Sequence, residues 1–400
     1  MKIEQIKIEN YKVFRKTVIQ DLSHFSVFLG ANGAGKTTLF DVFGFLSDAL
    51  KSNVRYALNK RGGFKEVYSR DGDGPILIEI KFRNEVASAV LQPLITYSLS
   101  IDQDNGAPIV LSEKLKYRRA QRGKPYLFLN FHKGEGDAIT NEADYNLIDG
   151  HFEEQRAFQK LDTPDILAIK GLGQFQQFPA ISSFRRLLDD WFVSNFQIQE
   201  ARALEDTGIS EHLSASGDNL AQVTRYIKEN HPKVFKSILQ KFTKRVPGVE
   251  TVEAEETLDG RIVLKFKDNS FRDPFVSRFV SDGTIKMFAY LVLLNDPIKH
   301  PLLCVEEPEN FLHHELLYEL AEEFREYARG GGQVFVSTHS PDFVNAIRPE
   351  ELFWLRKDEG STTICRAKDD AMIETLYREG DQLGRLWREG YMIGAGPGGK

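Results

Sequence analysis

A chain of 400 residues, 41% apolar and 28% charged, has an ordinary globular balance and the length for roughly two to three compact units. Its 58 acidic against 52 basic residues leave a formal charge of −6, which excludes a general nucleic-acid-coating protein but leaves room for a local basic patch. Two cysteines far apart, Cys304 and Cys365, exclude a disulfide scaffold and a Cys-x-x-Cys metal site.

At the start of the chain, charged and apolar side chains alternate, which predicts a strand over residues 2–8 rather than a signal peptide. A short buried strand over 26–29 runs into glycines, and a helix follows from Lys36. Residues 76–131 read as a run of antiparallel strands. From about 180 to 245 the pattern is helical, with Asp218 capping a helix that puts Leu220, Val223 and Ile227 on one face, and Pro232 opening the next helix. Asp259-Gly260 supplies the turn of a hairpin. From Ser281 the order is helix, strand (302–306), helix (312–329) and strand (333–338). The longest apolar run, 287–294, falls short of the roughly 20 residues a bilayer span needs, so a cytoplasmic chain without membrane contact is expected.

Three stretches carry chemistry. Gly30-Ala-Asn-Gly-Ala-Gly-Lys-Thr37 matches G-x-x-x-x-G-K-[ST] at every fixed position, between a buried strand and a helix. Such glycines let backbone N–H groups turn inward around a triphosphate, and the helix N-terminus adds partial positive charge. Lys36 is then suited to the β- and γ-phosphates, and Thr37 to Mg²⁺. Next, the apolar stretch Leu-Leu-Cys-Val ends in Glu306-Glu307, the first suited to a metal's water shell and the second to polarising an attacking water as general base. The same pattern also describes a buried strand that happens to end in acids. One strand–helix unit later, Val-Phe-Val-Ser-Thr-His339-Ser closes another apolar strand. A lone histidine is usually structural, yet this one stands where a group sensing the γ-phosphate belongs. Between the first and the second of these, Ser281-Asp-Gly283-Thr precedes an apolar helix; read alone it is a helix cap.

Taken in order, the P-loop, S-D-G-T, the apolar run ending E-E-P-E-N, and S-T-H-S resemble the ABC-type ATPases of the SMC/RecF/OLD group. The likeness is to stand-alone bacterial RecF-like ATPases of the AAA family that lack a TOPRIM domain. It implies an α/β fold, an ABC-type P-loop ATPase head with an inserted antiparallel β section and a helical section. The organisation expected is a first lobe over 1–75, the β section over 76–135, a mainly helical insertion over 136–247, a second lobe over 248–370, and a C-terminal tail over 371–400 whose glycine-rich end is flexible. ATP and Mg²⁺ are the implied ligands. Gly30, Asn32, Gly33, Gly35, Lys36, Thr37 and Thr38 hold the nucleotide, and Thr37 and Glu306 hold the metal. Glu307 is the catalytic glutamate and His339 the switch histidine. Ser281 and Gly283 belong to the signature motif that closes over ATP bound by a second copy, and Glu309 and Asn310 fall at the D-loop.

The sequence departs from the pattern in places. The signature reads S-D-G-T where transporter ATPases have S-G-G-Q, and Glu306 replaces the usual Asp. Gln174, Gln176 and Gln177 are open candidates for the Q-loop. Neither a coiled-coil insertion nor a zinc hook lies between Thr37 and Ser281, which argues against a long-armed clamp. About 50 residues follow the His339 region, fewer than a TOPRIM domain needs, so a nuclease would be a separate chain.

The resemblance thus implies a nucleotide-gated homodimer, with a separately encoded TOPRIM-like or toxin-like effector, acting as sensor or scaffold in anti-phage defence. A RecF-like DNA repair ATPase and a non-hydrolytic, ATP-stabilised scaffold are the alternatives. The run from Lys114 to Lys124 holds six basic residues, no acid, and Tyr117 within it. It suits phosphate backbone and base stacking, and the favoured reading is a solvated hairpin with Arg-Gly-Lys-Pro at its turn. Neighbouring His313 and His314 would point about 100° apart on a helix and so could not share one ion.

Overall fold

The computed structural model describes residues 2–83, 94–118, 125–141, 154–194, 196–202 and 205–396. It divides into two compact units. Unit 1 comprises Met1–Trp191, Pro349–Asp381 and Leu386–Lys400; unit 2 comprises Phe192–Arg348 and Gln382–Arg385.

Unit 1 begins with strands β1 (Lys2–Tyr11), β2 (Phe14–Ile19) and β3 (Phe25–Gly30), followed by helices α1 (Lys36–Lys51), α2 (Val54–Asn59) and α3 (Phe64–Val67). Strands β4 (Ile76–Arg83), β5 (Leu94–Asp104), β6 (Ala107–Arg118), β7 (Tyr126–His132), β8 (Glu135–Ile139) and β9 (Arg156–Lys160) come next, then α4 (Ala168–Leu172) and α5 (Pro179–Asp189). Among the described residues, eight of these strands form one antiparallel sheet in the order β2-β1-β4-β5-β6-β7-β8-β9. The run of strands expected from residue 76 is therefore present, and it continues through β9.

Period-2 alternation sets the register of this sheet. Ile6, Ile80, Tyr97, Leu115, Leu129 and Ala138 are cross-strand neighbours in one buried row. Helix α5 covers that face: the Phe184 ring lies 4.9 Å from Phe82 and 4.4 Å from Tyr97. Glu113 sits two residues from Leu115 on the same buried face and is fully buried. Its carboxylate accepts hydrogen bonds from Tyr97 Oη (3.1 Å) and from the Ala168 and Ile169 N–H groups (2.5 and 3.1 Å), which open α4. An acid is tolerated there because it satisfies N–H groups that have no partner within the helix.

Unit 2 contains β10 (Phe192–Ser194), α6 (Ile198–Ala201), β11 (Glu205–Asp206), α7 (Leu220–Asn230), α8 (Pro232–Arg245), β12 (Val249–Glu256), β13 (Arg261–Asp268) and β14 (Phe275–Val276). The segment that follows holds α9 (Asp282–Leu294), β15 (Leu302–Glu306), α10 (Glu315–Arg329), β16 (Gln333–Thr338) and α11 (Pro341–Asn345). β10, β15 and β16 run parallel, so β15 and β16 are read as near-continuous apolar segments and are buried on both faces. The β12–β13 hairpin turns at Gly260, whose φ of 76° only glycine adopts freely.

The chain then returns to unit 1 as β17 (Leu352–Asp358), β18 (Ser361–Arg366) and α12 (Ala371–Arg378), and α13 (Leu383–Arg388) lies at the chain's end. β17 pairs in parallel with β3 and antiparallel with β18.

Three expectations need correction. The helix after residue 218 has Asn219, not Asp218, at its N-cap position, and neither side chain bonds the N–H groups of its first turn. The Asp218 carboxylate is taken by the Ser214 hydroxyl and the Asn219 N–H. The glycine-rich end is held rather than flexible as far as residue 396. Trp354 Nε1 donates to the Ile393 carbonyl (3.3 Å), Trp387 Nε1 donates to the Ala395 carbonyl (3.2 Å), and Met392 and Ala395 are buried. Residues 397–400 lie outside the described residues. Lastly, His313 and His314 precede α10 instead of riding on it; both are exposed, with ring centroids 4.3 Å apart.

Of the basic run, Lys114 and Lys116 belong to β6, while residues 119–124 and the Arg118 side chain lie outside the described residues.

Candidate nucleotide site

In unit 1 the loop from Gly30 to Thr37 joins the C-terminal end of β3 to the start of α1. Two of its glycines take left-handed backbone, Gly33 at φ 75° and Gly35 at φ 106°. Gly35 is also pressed close, since a Cβ there would stand 2.7 Å from Val13 Cγ2. Lys36 is buried and its Nζ donates to the carbonyls of Gly30 (2.8 Å) and Ala31 (3.2 Å), so its ammonium lies over the loop. Asn32 and Thr37 are exposed and Thr38 is half-buried. Thr362 on β18 braces the loop, its hydroxyl donating to the Ala34 carbonyl (2.8 Å) while its own carbonyl accepts from Thr17 Oγ1 (2.7 Å).

One turn into α1, Asp41 accepts from Tyr11 Oη (2.9 Å), Lys12 Nζ (2.5 Å) and Arg61 Nε (2.5 Å). Burial alone would raise its pKa. The hydrogen bonds and charges of Lys12 and Arg61 outweigh that and hold the carboxyl below its usual range. Arg61 reaches Asp48 as well (2.8 Å), so α1 is pinned to β1 and α2 by a charge network.

In unit 2, β15 delivers Glu306 and Glu307 at its C-terminal end. Glu307 takes φ 44°, a left-handed conformation in which its N–H donates to the Ser337 carbonyl (2.9 Å). Its two carboxylate oxygens face different partners: His339 Nε2 lies 3.2 Å from Oε1, and Asn310 Nδ2 donates to Oε2 (2.8 Å). Lys286 Nζ donates to the Glu307 carbonyl (3.1 Å). Burial pushes the Lys286 ammonium down to about 8, against the opposing pull of Glu309 and Glu307. Glu306 is half-buried; its carboxylate, like the Thr37 hydroxyl of unit 1, is a hard oxygen donor, the ligand type Mg²⁺ takes.

The signature segment caps α9. Ser281 Oγ accepts from the Thr284 N–H (3.2 Å) and shares a 2.7 Å hydrogen bond with the Thr284 hydroxyl. Arg202 holds both flanks of Ser281, donating to the Val280 carbonyl and pairing with Asp282 Oδ1 at 2.6 Å. Gly283 is packed against the turn after Glu307, where a Cβ would meet the Phe311 carbonyl at 2.5 Å. A cavity of about 590 Å³ opens beside these residues, lined also by Val246, Pro247 and Leu316.

Unit 1 therefore gathers Gly30, Asn32, Gly33 and Gly35 in one loop, with Lys36, Thr37 and Thr38 in the first turn of α1 that follows it. Unit 2 brings Glu307, His339, Glu309 and Asn310 into one hydrogen-bonded cluster, with Ser281 and Gly283 on the adjoining helix start. Gln174, Gln176 and Gln177 lie exposed between α4 and α5. The sequence reading missed Arg202, Lys286 and Thr362, whose partners are distant in sequence and carry no local signal.

A family model described as "AAA domain, putative AbiEii toxin, Type IV TA system" matches residues 25–345. Two curated proteins are similar over shorter stretches. The "DNA double-strand break repair Rad50 ATPase" of Pyrococcus abyssi is 31% identical over 91 residues, 23% of this chain and 10% of that protein. The "Old nuclease" of Escherichia phage P2 is 23% identical over 219 residues, 44% of this chain and 37% of that protein. The matched stretches thus span a tenth and just over a third of those relatives. Among solved structures, an SMC head bound to the C-terminal winged-helix domain of ScpA is similar, with a TM-score of 0.55 at 13% identity over 91% of this chain and 97% of the other. That likeness is one of fold.

Proposed function

The chain belongs to this AAA-domain family and has the SMC/RecF/OLD-like ABC-type ATPase fold, and from that premise we propose that it binds and hydrolyses ATP as a dimeric switch. The observation that carries hydrolysis is the 3.2 Å pair of Glu307 and His339 at the end of a buried parallel strand pair. A carboxylate so oriented serves as general base toward water, and the histidine senses the transferred phosphate. The loop from Gly30 to Thr38 takes the triphosphate, with Lys36 on the β- and γ-phosphates. Thr37 and Glu306 are the residues that would hold Mg²⁺, which would supply charge neutralisation to the phosphates. Ser281 and Gly283 engage the nucleotide held by a second copy, so ATP closes the dimer and hydrolysis opens it.

In the cell, this switch acts as sensor or scaffold of an anti-phage defence system with a separately encoded TOPRIM-like or toxin-like effector. The toxin-related description of the family and the likeness to a phage Old nuclease support that reading. A RecF-like role in DNA maintenance is supported by the stretch similar to Rad50. A purely structural use of ATP is the remaining alternative.

Steady-state turnover of Mg²⁺-ATP by wild type, Lys36→Ala and Glu307→Gln, with and without duplex DNA, tests these readings. Turnover in wild type alone supports hydrolysis, and strong stimulation by DNA favours the maintenance role. Identical, negligible turnover in all three moves the account to the scaffold.

A further inference from the structure

The histidine of unit 2 is held from two directions. Its ring reaches Glu307, and its backbone is held by Glu309, whose Oε1 accepts from the His339 N–H at 2.7 Å. The same oxygen accepts from the hydroxyl of buried Thr338 at 2.7 Å. Thr338 Oγ1 in turn accepts from the Ser340 N–H at 3.0 Å, so the peptide on either side of His339 is fastened.

Glu309 stands two residues beyond Glu307 in a turn closed by the Asn310 N–H donating to the Glu307 carbonyl (3.2 Å) and the Leu312 N–H donating to the Glu309 carbonyl (3.0 Å). The contacts form a ring: Glu307 carboxylate, His339 imidazole, His339 backbone, Glu309 carboxylate, and back through Pro308. In such a ring the separation of Glu307 from His339 is set by the member between them.

We propose that Glu309 is a positioning residue, its carboxylate fixing the backbone from which His339 meets Glu307. The proposal rests on the hydrolysis reading above, and Glu309 acts through the backbone of His339. Oε1 carries both hydrogen bonds, whereas Oε2 is buried and has no hydrogen-bond partner among the described residues. One acceptor oxygen therefore does the holding, and a glutamine, whose amide oxygen takes the place of Oε1, preserves it.

Glu309→Gln, Glu309→Leu and Thr338→Val are compared with wild type by ATP turnover and by hydrogen exchange at the His339 amide. Glu309→Leu lowers kcat on the order of 10²-fold with KM for ATP within about twofold, Glu309→Gln stays within about threefold of wild type, and Thr338→Val, which keeps the backbone bond, falls between. The His339 amide exchanges faster in Glu309→Leu than in Glu309→Gln. Wild-type behaviour of Glu309→Leu in both readouts overturns the proposal, as does a Glu309→Gln protein damaged as badly as Glu309→Leu. If Glu309→Leu does not fold, Glu309→Ala, which removes the same acceptor oxygen, carries the test, and unchanged kcat and exchange there overturn it. If wild type itself shows no turnover, the hydrolysis reading fails while the exchange comparison still decides whether Glu309 holds His339.

Discussion

His339 Nε2 and Glu307 Oε1 stand 3.2 Å apart, while Asn310 Nδ2 holds the other oxygen of the same carboxylate at 2.8 Å. Glu307 reaches this position from a left-handed backbone, φ 44°, which a non-glycine residue adopts at a cost of about 1–3 kcal/mol. Three contacts offset it: the Ser337 carbonyl on its N–H, and Lys286 and Asn310 N–H on its carbonyl. Strain held in place by surrounding bonds at this carboxylate supports the role of general base proposed for Glu307.

If the histidine serves the reaction and not the fold, His339→Ala loses kcat by about 10²–10⁴-fold, with nucleotide affinity unchanged. Turnover alongside equilibrium binding of a fluorescent ATP analogue checks this. Parallel loss of binding and turnover would point instead to damage at the loop.

The two left-handed glycines of the loop are unequal. A methyl group added at Gly33 would meet nothing within 4 Å, whereas at Gly35 it would stand 2.7 Å from Val13 Cγ2. Gly33→Ala thus carries backbone strain of about 1–2 kcal/mol, and Gly35→Ala carries that plus a clash. Thermal unfolding should show the larger fall in Tm, and isothermal titration the larger loss of ATP binding, in Gly35→Ala.

Glu113 gives the fold a pH dependence. Burial pushes its carboxyl up to about 7, and the hydrogen bonds from Ala168, Ile169 and Tyr97 oppose but do not cancel that. The folded pKa exceeds the unfolded one, so its contribution is fully present below the unfolded pKa, about 4.3, and is lost as pH rises through about 7. Urea unfolding between about pH 5 and pH 8 should show this decline in wild type and a shallower one in Glu113→Gln. Equal slopes would assign it to other groups.

Arg202 holds Val280 and Asp282 on either side of Ser281. Arg202→Met, placed in the Glu307→Gln background, should weaken ATP-dependent self-association on the order of tenfold and leave nucleotide binding by the monomer intact. Analytical ultracentrifugation against protein concentration measures it; unchanged association means the signature segment holds its shape without Arg202.

Features written within a few consecutive residues were legible in the sequence. The loop from Gly30, the apolar strands ending at Glu306 and Thr338, the Ser281 cap and the Asp259-Gly260 turn are each set by neighbours in the chain. What was hidden depends on distant partners. Arg202 acts on a carbonyl 78 residues away, and Glu113 stands in the apolar half of an alternating strand with nothing in its own stretch of sequence to satisfy it until α4 brings two N–H groups to it. Asp218 does not cap its helix because its carboxylate is bound by the Ser214 hydroxyl and the Asn219 N–H, partners that precede the helix. The glycine-rich end gave no sign that two indoles elsewhere would bind it.

The most direct test of the switch is the solution mass of Glu307→Gln with and without Mg²⁺-ATP. A nucleotide-gated switch gives a monomer without nucleotide and a trapped dimer with it, which wild type resolves as it hydrolyses ATP. A Glu307→Gln protein that binds ATP yet keeps one mass in both conditions contradicts it.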